Sequence, residues 1–389
     1  MTKMKFTDEP TPSDTFGNWI ATALKPRAFE KLIRADVFRR VMADVTFLPE
    51  VLERQANQKE FNLPMEEYLA IAASNERIRN GRLMLRTHRD LFNTVEQAFG
   101  VEPEVIAAIW GLETGYGVVM GDTPIIPALA TLAYAGRRAA YFETELFAAL
   151  RLVQLGQIPA DRLRGSWAGA IGHGQFMPSA VLEFGVDLDG DGVTDLCGAP
   201  PTDALASVAN YLKKHGWHKG QPWGIEVRLP EGFDHALSGL DQTLPARDWS
   251  TLGVATLDGG QLPDYGATSI LLPAGARGPA ILTTGNFHVI LRYNRAVSYA
   301  IGVGHLSDRL SGGKPFRADW PRDERELKSG DISEAQYLLS QCGFDTQGID
   351  GMIGPNTTRA ARAFQAANGL VPDGYLGSAL LDALRANRR

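Results

Sequence analysis

The stretch VIAAIWGLETGYG combines an apolar helical pattern with one carboxylate, Glu113. Ile106, Ile109 and Trp110 precede Glu113 by seven, four and three residues, so on a helix they share its face. Pro103 is typical of the first turn of a helix, and the glycines after Glu113 are typical of its end. The sequence therefore predicts a carboxyl group among apolar side chains near the C-terminal end of a helix.

Two roles are open for this carboxyl group. Apolar surroundings disfavour the charged form, so the pKa of Glu113 would be raised and the group could donate a proton near neutral pH. The alternative is structural, because a buried glutamate also forms ion pairs, and Arg137 and Arg138 are candidate partners.

The stretch VDLDGDGVTDL places Asp187, Asp189 and Asp191 at alternate positions before Gly192. This is the pattern of the first half of an EF-hand loop, in which oxygen ligands at positions one, three and five precede a glycine. Hard oxygen ligands favour Ca²⁺ over zinc or copper. The alternative is an acidic surface turn without a metal.

The second half of this loop departs from the EF-hand pattern. Val193 would give its backbone carbonyl, but the position of the usual bidentate glutamate is occupied by Gly198. We expect Asp195 or Asp203 to supply the missing carboxylate.

The stretch GSWAGAIGHGQFMPSA is rich in glycine but lacks the Lys-Ser/Thr pair of a phosphate-binding loop. We interpret it as a segment whose small residues let the backbone and Gln175 approach a bulky polar ligand.

His215 and His218 are spaced as H-x-x-H without an obvious third ligand, which favours a surface pair over a metal site. Flat aromatic side chains in these motifs would suit sugar rings.

Secondary-structure patterns divide the chain. Helical spacing dominates from about 15 to 220, as in YFETELFAALRLVQLG and DALASVANYLKKHG. The short β-type runs WGIEVRLP, TSILLPA and AILTTGNFHVI predict a small strand-rich insertion over about 222–290, and AVSYAIGVGHLSDRL predicts a helix after it. The fold class is therefore mainly α (α+β).

The local composition of the sequence also predicts domain boundaries. Residues 316–327 are rich in charge and proline, as in a linker, and the unit after them repeats a turn, DGMIG at Asp350 and DGYLG at Asp373. The predicted segments are a polar tail (1–14), a main domain (15–315), a linker (316–327) and a small C-terminal domain (328–389).

Composition excludes several classes of protein. The 389 residues are 44% hydrophobic and 22% charged with a net charge of −6, as in a folded soluble protein without a nucleic-acid-binding surface. No apolar run is long enough to span a bilayer. The two cysteines, Cys197 and Cys342, exclude a disulfide framework and a cysteine-rich zinc site. The first residues contain no apolar export segment, so we expect either a cytosolic protein or a processed form.

Several stretches, in order, resemble the B-type lytic murein transglycosylases over about 15–315. The resemblance rests on AAIWGLETGYGVVMGDTPIIPALATLAY, RGSWAGAIGHGQFMPSA, VDLDGDGVTDL, TDALASVANYLKKHGW and HVILRYNRAVSYAIGVGHL. The last unit, with GIDGMIGPNTTRAARAFQAANGL, resembles the small helical peptidoglycan-binding domain. The resemblance implies a lysozyme-like helical catalytic domain with a glycan cleft, followed by a three-helix wall-binding domain.

The resemblance also implies a reaction. Such enzymes cut the β-1,4 bond between N-acetylmuramic acid and N-acetylglucosamine without adding water, and they close the muramyl C6 hydroxyl onto C1. Glycosidases usually need two carboxylates. A single carboxylate suffices when the nucleophile belongs to the substrate, so Glu113 would act first as acid and then as base. No catalytic cofactor is implied, and a structural Ca²⁺ is expected.

Matched positions imply the residues of the site. The expected glycan-lining residues at matched positions are Ser166, Gln175, Tyr211, Asn294 and Tyr299, with Arg137 and Arg138 near muramyl or peptide carboxylates, and Phe176 and Met177 as an apolar wall. Tyr116 is a further expected contact, as an aromatic residue of these motifs. The calcium loop of the family matches Asp187, Asp189, Asp191 and Asp203. The segment between Asp191 and Asp203 is about two residues longer than the family pattern, which leaves Asp195 as a substitute ligand.

The resemblance further predicts partners and location. We expect a monomer that binds peptidoglycan glycan strands, has proteins of cell-wall synthesis as partners, and binds no nucleic acid. We expect a soluble periplasmic form, although the chain shows neither an export signal nor a lipidated cysteine near its start.

Two rival functions stay open. A hydrolase that uses water would need a second carboxylate, and Asp122 is the nearest in sequence beyond the glycine turn. A non-catalytic wall-binding protein would use Glu113 only as an ion-pair partner. Product analysis separates the three functions, because anhydro-sugar, reducing-end sugar and no product are distinct outcomes.

Overall fold

The computed structural model describes residues 12–57, 63–325 and 327–387, which form two compact units. Unit one comprises 12–57, Thr87–Phe99 and Ile109–Tyr211, and unit two comprises 63–86, Gly100–Ala108, 212–325 and 327–387. Residues 1–11 of the predicted tail lie outside the described residues, and the first helix begins at Pro12, inside that prediction. None of the described helices is both long and apolar enough to cross a bilayer.

The chain is mainly helical with a small sheet, as the patterns predict. The helices are α1 Pro12–Trp19, α2 Lys25–Glu30, α3 Ala35–Met42, α4 Pro49–Asn57, α5 Met65–Ala72, α6 Asn75–Thr87, α7 Arg89–Phe99, α8 Pro103–Thr114, α9 Ile125–Ala135, α10 Ala139–Leu155, α11 Pro178–Phe184, α12 Thr202–Lys214, α13 Ala246–Thr251, α14 Gly285–Tyr293, α15 Val297–Leu310, α16 Ser329–Gln341, α17 Pro355–Ala367 and α18 Ser378–Ala386. The strands are β1 Thr123–Pro124, β2 Arg164–Gly165, β3 Gly224–Arg228, β4 Leu244–Pro245, β5 Ala255–Thr256, β6 Ala267–Leu271, β7 Pro273–Ala276 and β8 Ala280–Thr283.

The core of unit one lies around α9 and α10. Both helices are apolar over most of their length, and eight residues of α9 are buried. Helix α10 ends where Gly156 adopts a left-handed conformation (φ 74°) that a residue with a side chain rarely adopts. The strand pair β1 and β2 joins Thr123 to Gly165 and so ties the start of α9 to the glycine-rich segment.

The strand-rich segment forms an antiparallel sheet in unit two, in the order β4-β6-β8-β3-β5. Leu282 of the central strand β8 lies opposite Ile225 on one side and Ile270 on the other. Trp249 and Phe233 complete the core that this sheet covers. The prediction of short strands within 222–290 is therefore confirmed.

One predicted strand is partly wrong. The run AILTTGNFHVI forms a strand only as far as Thr283, and the rest belongs to helix α14. The reason is a helix cap: the Thr284 side chain accepts a hydrogen bond from the Asn286 backbone N–H. A short apolar run such as FHVI fits the period of a strand and that of a helix equally well, so the helix cap determines which of the two forms.

The C-terminal domain consists of α16, α17 and α18 around a core that includes Leu339, Phe364 and Leu381. Its repeated turns are held in the same way. Gln336 accepts from the backbone of Asp350 at 3.0 Å, and Gln365 accepts from the backbone of Gly374 at 2.7 Å. The repeated turn in the sequence thus corresponds to a repeated contact, in which a buried glutamine on a helix binds the Asp-Gly turn that follows it.

Candidate active site

Glu113 is half-buried and is the last residue but one of α8, so the predicted helix end is confirmed. The three residues Gly115, Tyr116 and Gly117 then have positive φ angles of 59°, 65° and 87°. Tyr116 adopts this conformation with its ring folded back onto α8, where a Cβ on Gly111 would lie 2.6 Å from that ring. The chain therefore reverses direction directly after the carboxylate.

Residues below this turn fix the end of α8. The Thr114 hydroxyl donates to the His173 backbone carbonyl at 3.0 Å and accepts from the Gly117 N–H at 3.0 Å. The Trp110 indole N–H donates to Nδ1 of His173 at 3.0 Å. Sequence reasoning missed His173, although it lies in the glycine-rich stretch. The sequence did offer one signal: His173 is the only imidazole in this stretch of small residues, so it is a side chain there that could form several hydrogen bonds.

The glycines of that stretch permit close contacts within the protein. A Cβ on Gly172 would lie 2.1 Å from the Leu196 carbonyl oxygen, and a Cβ on Gly165 would lie 2.0 Å from that of Ala170. Gln175 has a positive φ of 50°, and its amide donates to the carbonyls of Met120 and Gly172. The Gln175 side chain is therefore held rigidly next to the residues that follow Glu113.

The other expected glycan residues fall into both units. Unit one holds Glu113, Tyr116, Ser166, Gln175, Phe176, Met177 and Tyr211, and unit two holds Asn294 and Tyr299. Phe176 is buried, with its ring 6.1 Å from that of Tyr211, whereas Met177 is half-buried. Asn294 is exposed at the end of α14, and Tyr299 is buried in α15. Ser166 accepts from the Ala170 N–H at 2.9 Å.

Arg137 and Arg138 have separate environments. Arg137 donates to the Gln55 backbone carbonyl at 2.7 Å, while the Arg138 guanidinium lies 4.2 Å from the centre of the Tyr141 ring. Both arginines are exposed. Arg138 is thus a cation at the surface of unit one that contacts the face of the Tyr141 ring.

Asp122, the second carboxylate that a hydrolase would need, is exposed and paired with Arg164. The Arg164 Nε lies 2.5 Å from an Asp122 carboxylate oxygen, and its Nη2 donates to the Asp122 backbone carbonyl at 2.6 Å. The hydrogen bond from Arg164 and its charge hold the pKa of Asp122 below its ordinary value. Asp122 is therefore a permanently ionised surface group at neutral pH.

The acidic loop fits a hard cation in its first half. Asp187, Asp189 and Asp191 are exposed, and one carboxylate oxygen of each lies within 4.8 Å of the others. The N–H groups of Gly190 and Gly192 donate to Asp187 and fold the loop around it. Three carboxylates so close together repel one another unless a cation lies among them, so the donor set suits Ca²⁺.

In the second half of the loop, the carboxylates accept hydrogen bonds from backbone N–H groups of the loop itself. Asp203 is buried and accepts from the N–H groups of Leu188 and Asp195, both at 2.9 Å. Burial raises the pKa of Asp203, and the nearby charges of Asp189 and Asp187 add to that effect. The Asp195 carboxylate accepts from the Cys197 N–H, and the Val193 N–H donates to Asp191.

Comparisons with known proteins agree with this geometry. Residues 15–308 match the Transglycosylase SLT domain family, and residues 328–384 match a peptidoglycan binding domain family. The chain is 36% identical over 249 residues to the membrane-bound lytic murein transglycosylase B of Escherichia coli, a match that covers 61% of this chain and 64% of that protein.

Solved structures give the same result. The SltB3 structure from Pseudomonas aeruginosa in complex with NAG-anhNAM-pentapeptide is 43% identical, with a TM-score of 0.92 over 96% of this chain and 100% of that chain. The Escherichia coli lytic transglycosylase Slt35 in complex with calcium is 31% identical, with a TM-score of 0.62 over 77% of this chain and 93% of that chain. The chain belongs to the SLT transglycosylase family, the family of the lytic murein transglycosylases, and carries a C-terminal peptidoglycan-binding domain.

Proposed function

We propose that this chain carries out the lytic transglycosylase reaction of its family on peptidoglycan with Glu113 as its single acid and base. The observation that carries the proposal is the position of Glu113, half-buried at the end of α8 and followed by a tight turn. A half-buried carboxyl group is partly shielded from water, which suits a group that donates a proton near neutral pH. The raised pKa of Glu113 stays a prediction.

The proposed reaction balances without water. The Glu113 carboxyl protonates the oxygen of the β-1,4 bond between N-acetylmuramic acid and N-acetylglucosamine, and the bond from that oxygen to the muramyl C1 breaks. The muramyl C6 hydroxyl oxygen then bonds to C1, and its proton returns to the Glu113 carboxylate. The products are a free 4-hydroxyl and a 1,6-anhydromuramyl end, and Glu113 is protonated again.

Two further observations support this route over hydrolysis. Asp122, the nearest carboxylate beyond the turn, is exposed and bound by Arg164, so it is poorly suited to activate a water molecule. The relative SltB3 has been crystallised with NAG-anhNAM-pentapeptide, which contains the anhydro-sugar that this route produces.

The glycan contacts are proposed for each unit by itself. Ser166, Gln175 and Tyr211 would bind sugar hydroxyl and N-acetyl groups, and buried Phe176 would support the apolar wall that Met177 forms. Tyr116 is proposed to contribute mainly through the turn that it stabilises, since its ring packs on Gly111. Asn294 and Tyr299 are proposed contacts in unit two. Arg138 is the better placed of the two arginines for a peptide carboxylate, because Arg137 is bound to Gln55.

We also propose that the acidic loop binds one Ca²⁺ through Asp187, Asp189 and Asp191. The ion would neutralise the three carboxylates and so stabilise the loop, without a part in the reaction. Asp195 or Asp203 would complete the ligand set. A relative of 31% identity has been solved in complex with calcium.

The place of action follows from the substrate. The C-terminal domain is proposed to hold glycan strands of the wall, and the enzyme is proposed to work as a monomer in the periplasm. Proteins of cell-wall synthesis remain proposed partners.

The experiment is a digest of purified peptidoglycan by the wild type, Glu113→Gln and Asp122→Asn, with products read by mass spectrometry. We expect anhydromuramyl products from the wild type and from Asp122→Asn. Glu113→Gln should lose at least about a hundredfold in rate, because a positioned acid–base group contributes that much or more.

The other outcomes are equally clear. Reducing-end muramic acid, lost in Asp122→Asn, would replace the proposal with hydrolysis. Unchanged glycan binding without any product from the wild type would replace it with a wall-binding function.

A further inference from the structure

The His173 imidazole lies against the C-terminal end of α8 with 7% of its surface exposed. Its Nδ1 accepts from the Trp110 indole N–H, which can only donate, so the ring proton must be on Nε2. Nε2 lies 3.0 Å from the Gly198 carbonyl oxygen and therefore donates to it. Burial lowers the pKa of His173, which favours this neutral form with a single defined tautomer.

The backbone of His173 is bound as firmly as its ring. The carbonyl accepts from the Thr114 hydroxyl, and the N–H donates to the Leu196 carbonyl, each at 3.0 Å. The hydrogen bond to Leu196 joins two loop segments and so fixes the position of the His173 backbone relative to the turn. Thr114 is the residue after Glu113, and its hydroxyl also accepts from the Gly117 N–H at 3.0 Å. A Cβ on Gly117 would lie 2.5 Å from Cε1 of the imidazole, so the turn packs directly on the ring.

These contacts involve the neighbours of Glu113 in the sequence. Trp110 precedes Glu113 by three residues, Thr114 follows it directly, and Gly117 lies in the turn beyond. All three contact His173, through its ring or its backbone. The imidazole therefore joins the end of α8 to the segment that contains Leu196 and Gly198.

We propose that His173 is a positioning residue for Glu113, holding the end of α8 and the turn so that the carboxyl group points at the glycosidic oxygen. The proposal rests on the proposed function of Glu113. His173 is covered by Trp110 and Gly117, so it acts through them and not on the glycan. A displacement of about 1 Å at a reacting group can cost about a hundredfold in rate.

The test begins with His173→Phe, which keeps a ring but leaves the Trp110 N–H and the Gly198 carbonyl without their partner. We expect kcat on a soluble glycan substrate to fall by about 10- to 100-fold, with KM changed by less than about threefold. His173→Asn, whose side-chain oxygen can accept near the Nδ1 position, should recover part of kcat. His218→Phe, at an exposed histidine, is the matched control and should keep kcat.

A second arm combines variants with Glu113→Gln. If His173 acts through Glu113, adding His173→Phe to Glu113→Gln should cause no further loss of residual rate and no change in the Kd for the glycan. Trp110→Phe removes the same hydrogen bond from the other side, and together with His173→Phe it should cost no more than the larger single loss. Trp110→Phe also serves if His173→Phe does not fold.

Three results would overturn the proposal. A folded His173→Phe with kcat within twofold of the wild type would show that Glu113 needs no such support. A weaker Kd in the Glu113→Gln background would assign His173 to glycan binding. Full activity in Glu113→Gln itself would refute the proposed function, and the positioning role with it, whereas the first two results leave the role of Glu113 intact.

Discussion

Two titratable residues of α15, the buried His305 and the half-buried Asp308, have no part in the proposed reaction. The His305 ring stacks on Phe316 at 4.8 Å, and burial together with the charge of Arg309 lowers its pKa from 6.5 to about 4. Burial raises the pKa of Asp308 from 3.8 to about 6, although the Trp223 indole N–H donates to its carboxylate at 2.9 Å. The two groups are thus shifted in the directions that favour their neutral forms.

These shifts predict opposite effects of pH on stability. Asp308 binds more protons in the folded chain than in the unfolded chain between pH 3.8 and about 6, so its stabilising contribution is full below pH 3.8 and is lost as the pH rises through about 6. His305 binds fewer protons in the folded chain between pH 4 and 6.5, so its contribution is full above pH 6.5 and is lost as the pH falls through about 4. In the wild type the two slopes partly cancel.

Single variants should therefore separate the slopes. Asp308→Asn, which can still accept from Trp223, should gain stability over the wild type as the pH rises from 4 to 7, by up to roughly 3 kcal/mol. His305→Phe should remove the opposite slope, so that its free energy of unfolding falls with pH over the same interval. Urea unfolding at several pH values measures both.

Asp319→Asn, at an exposed carboxylate, is the control and should follow the wild type at every pH. Parallel curves for Asp308→Asn and the wild type would mean that Asp308 is ionised in the folded chain at the same pH as in the unfolded one.

At the scale of secondary structure, the sequence predicted most where the signal is local. The ends of α10 and α12 follow from glycines that adopt positive φ, Gly156 at 74° and Gly216 at 90°. The acidic loop and the strands over 222–290 also follow from short patterns. These features depend on neighbours within a few residues, which the sequence displays directly.

Contacts between distant segments could not be predicted in this way. Trp110 and His173 are 63 residues apart, and no periodicity connects them. Tyr116 was expected as a glycan contact on its residue type alone, whereas its buried ring and positive φ depend on the absence of a side chain at Gly111. The resemblance to a family indicated which residues matter, but their environments depend on packing.

The acidic loop between α11 and α12 carries a prediction of its own. Ca²⁺ should raise the Tm of the wild type, because an ion that binds only the folded state stabilises it by about 2.7 kcal/mol at a concentration of 100 Kd. Asp189→Asn should lose most of this gain. In EGTA, the same variant should melt at or above the wild-type temperature, because it removes one of three carboxylates that lie within 4.8 Å of one another.

Asp161→Asn, an exposed carboxylate of the same unit, is the control and should keep the full response to Ca²⁺. Calorimetric titration of Asp195→Asn and Asp203→Asn then identifies the last ligand as the residue whose loss weakens Ca²⁺ binding more. A wild-type Tm that is the same in Ca²⁺ and in EGTA would leave the loop as an acidic turn.

At the scale of the whole chain, the strand-rich segment and the C-terminal domain meet within unit two. Asp373 of the second repeated turn accepts from the Ala276 N–H at 2.8 Å, and Arg362 donates to the Ser238 carbonyl at 3.1 Å. Arg277 lies 2.6 Å from carboxylate oxygens of both Asp323 and Glu324. The C-terminal domain is therefore held against the sheet by contacts from several segments.

The predicted linker, 316–327, takes part in this arrangement. The Glu324 side chain is only 3% exposed, and it accepts from both the N–H and the hydroxyl of Ser378 at the start of α18. Composition indicates a polar, irregular segment. It could not reveal the order of the segment, because Arg277 and Ser378 are 47 and 54 residues from Glu324.

Arg277→Ala tests whether these contacts fix the segment. The substitution leaves Glu324 buried without its cation, so we expect a loss of about 2 kcal/mol in the free energy of unfolding, moderated because Arg277 itself is half-exposed. Chymotrypsin should also cut faster at Phe316 and Trp320, because local opening exposes the segment at a lower free energy than global unfolding. Arg247→Ala is the control, since that arginine is 86% exposed beside Asp248.

Arg277→Lys sharpens the result. Lysine keeps the positive charge but lacks the planar fork that reaches two carboxylates at once, so cleavage should be intermediate between the wild type and Arg277→Ala. Cleavage of Arg277→Ala at the wild-type rate would show that Asp373 and Arg362 hold the C-terminal domain without help from the segment. Faster cleavage with unchanged binding of the whole protein to peptidoglycan would instead mean that Arg277 orders the segment while the wall-binding surface of the domain is unaffected.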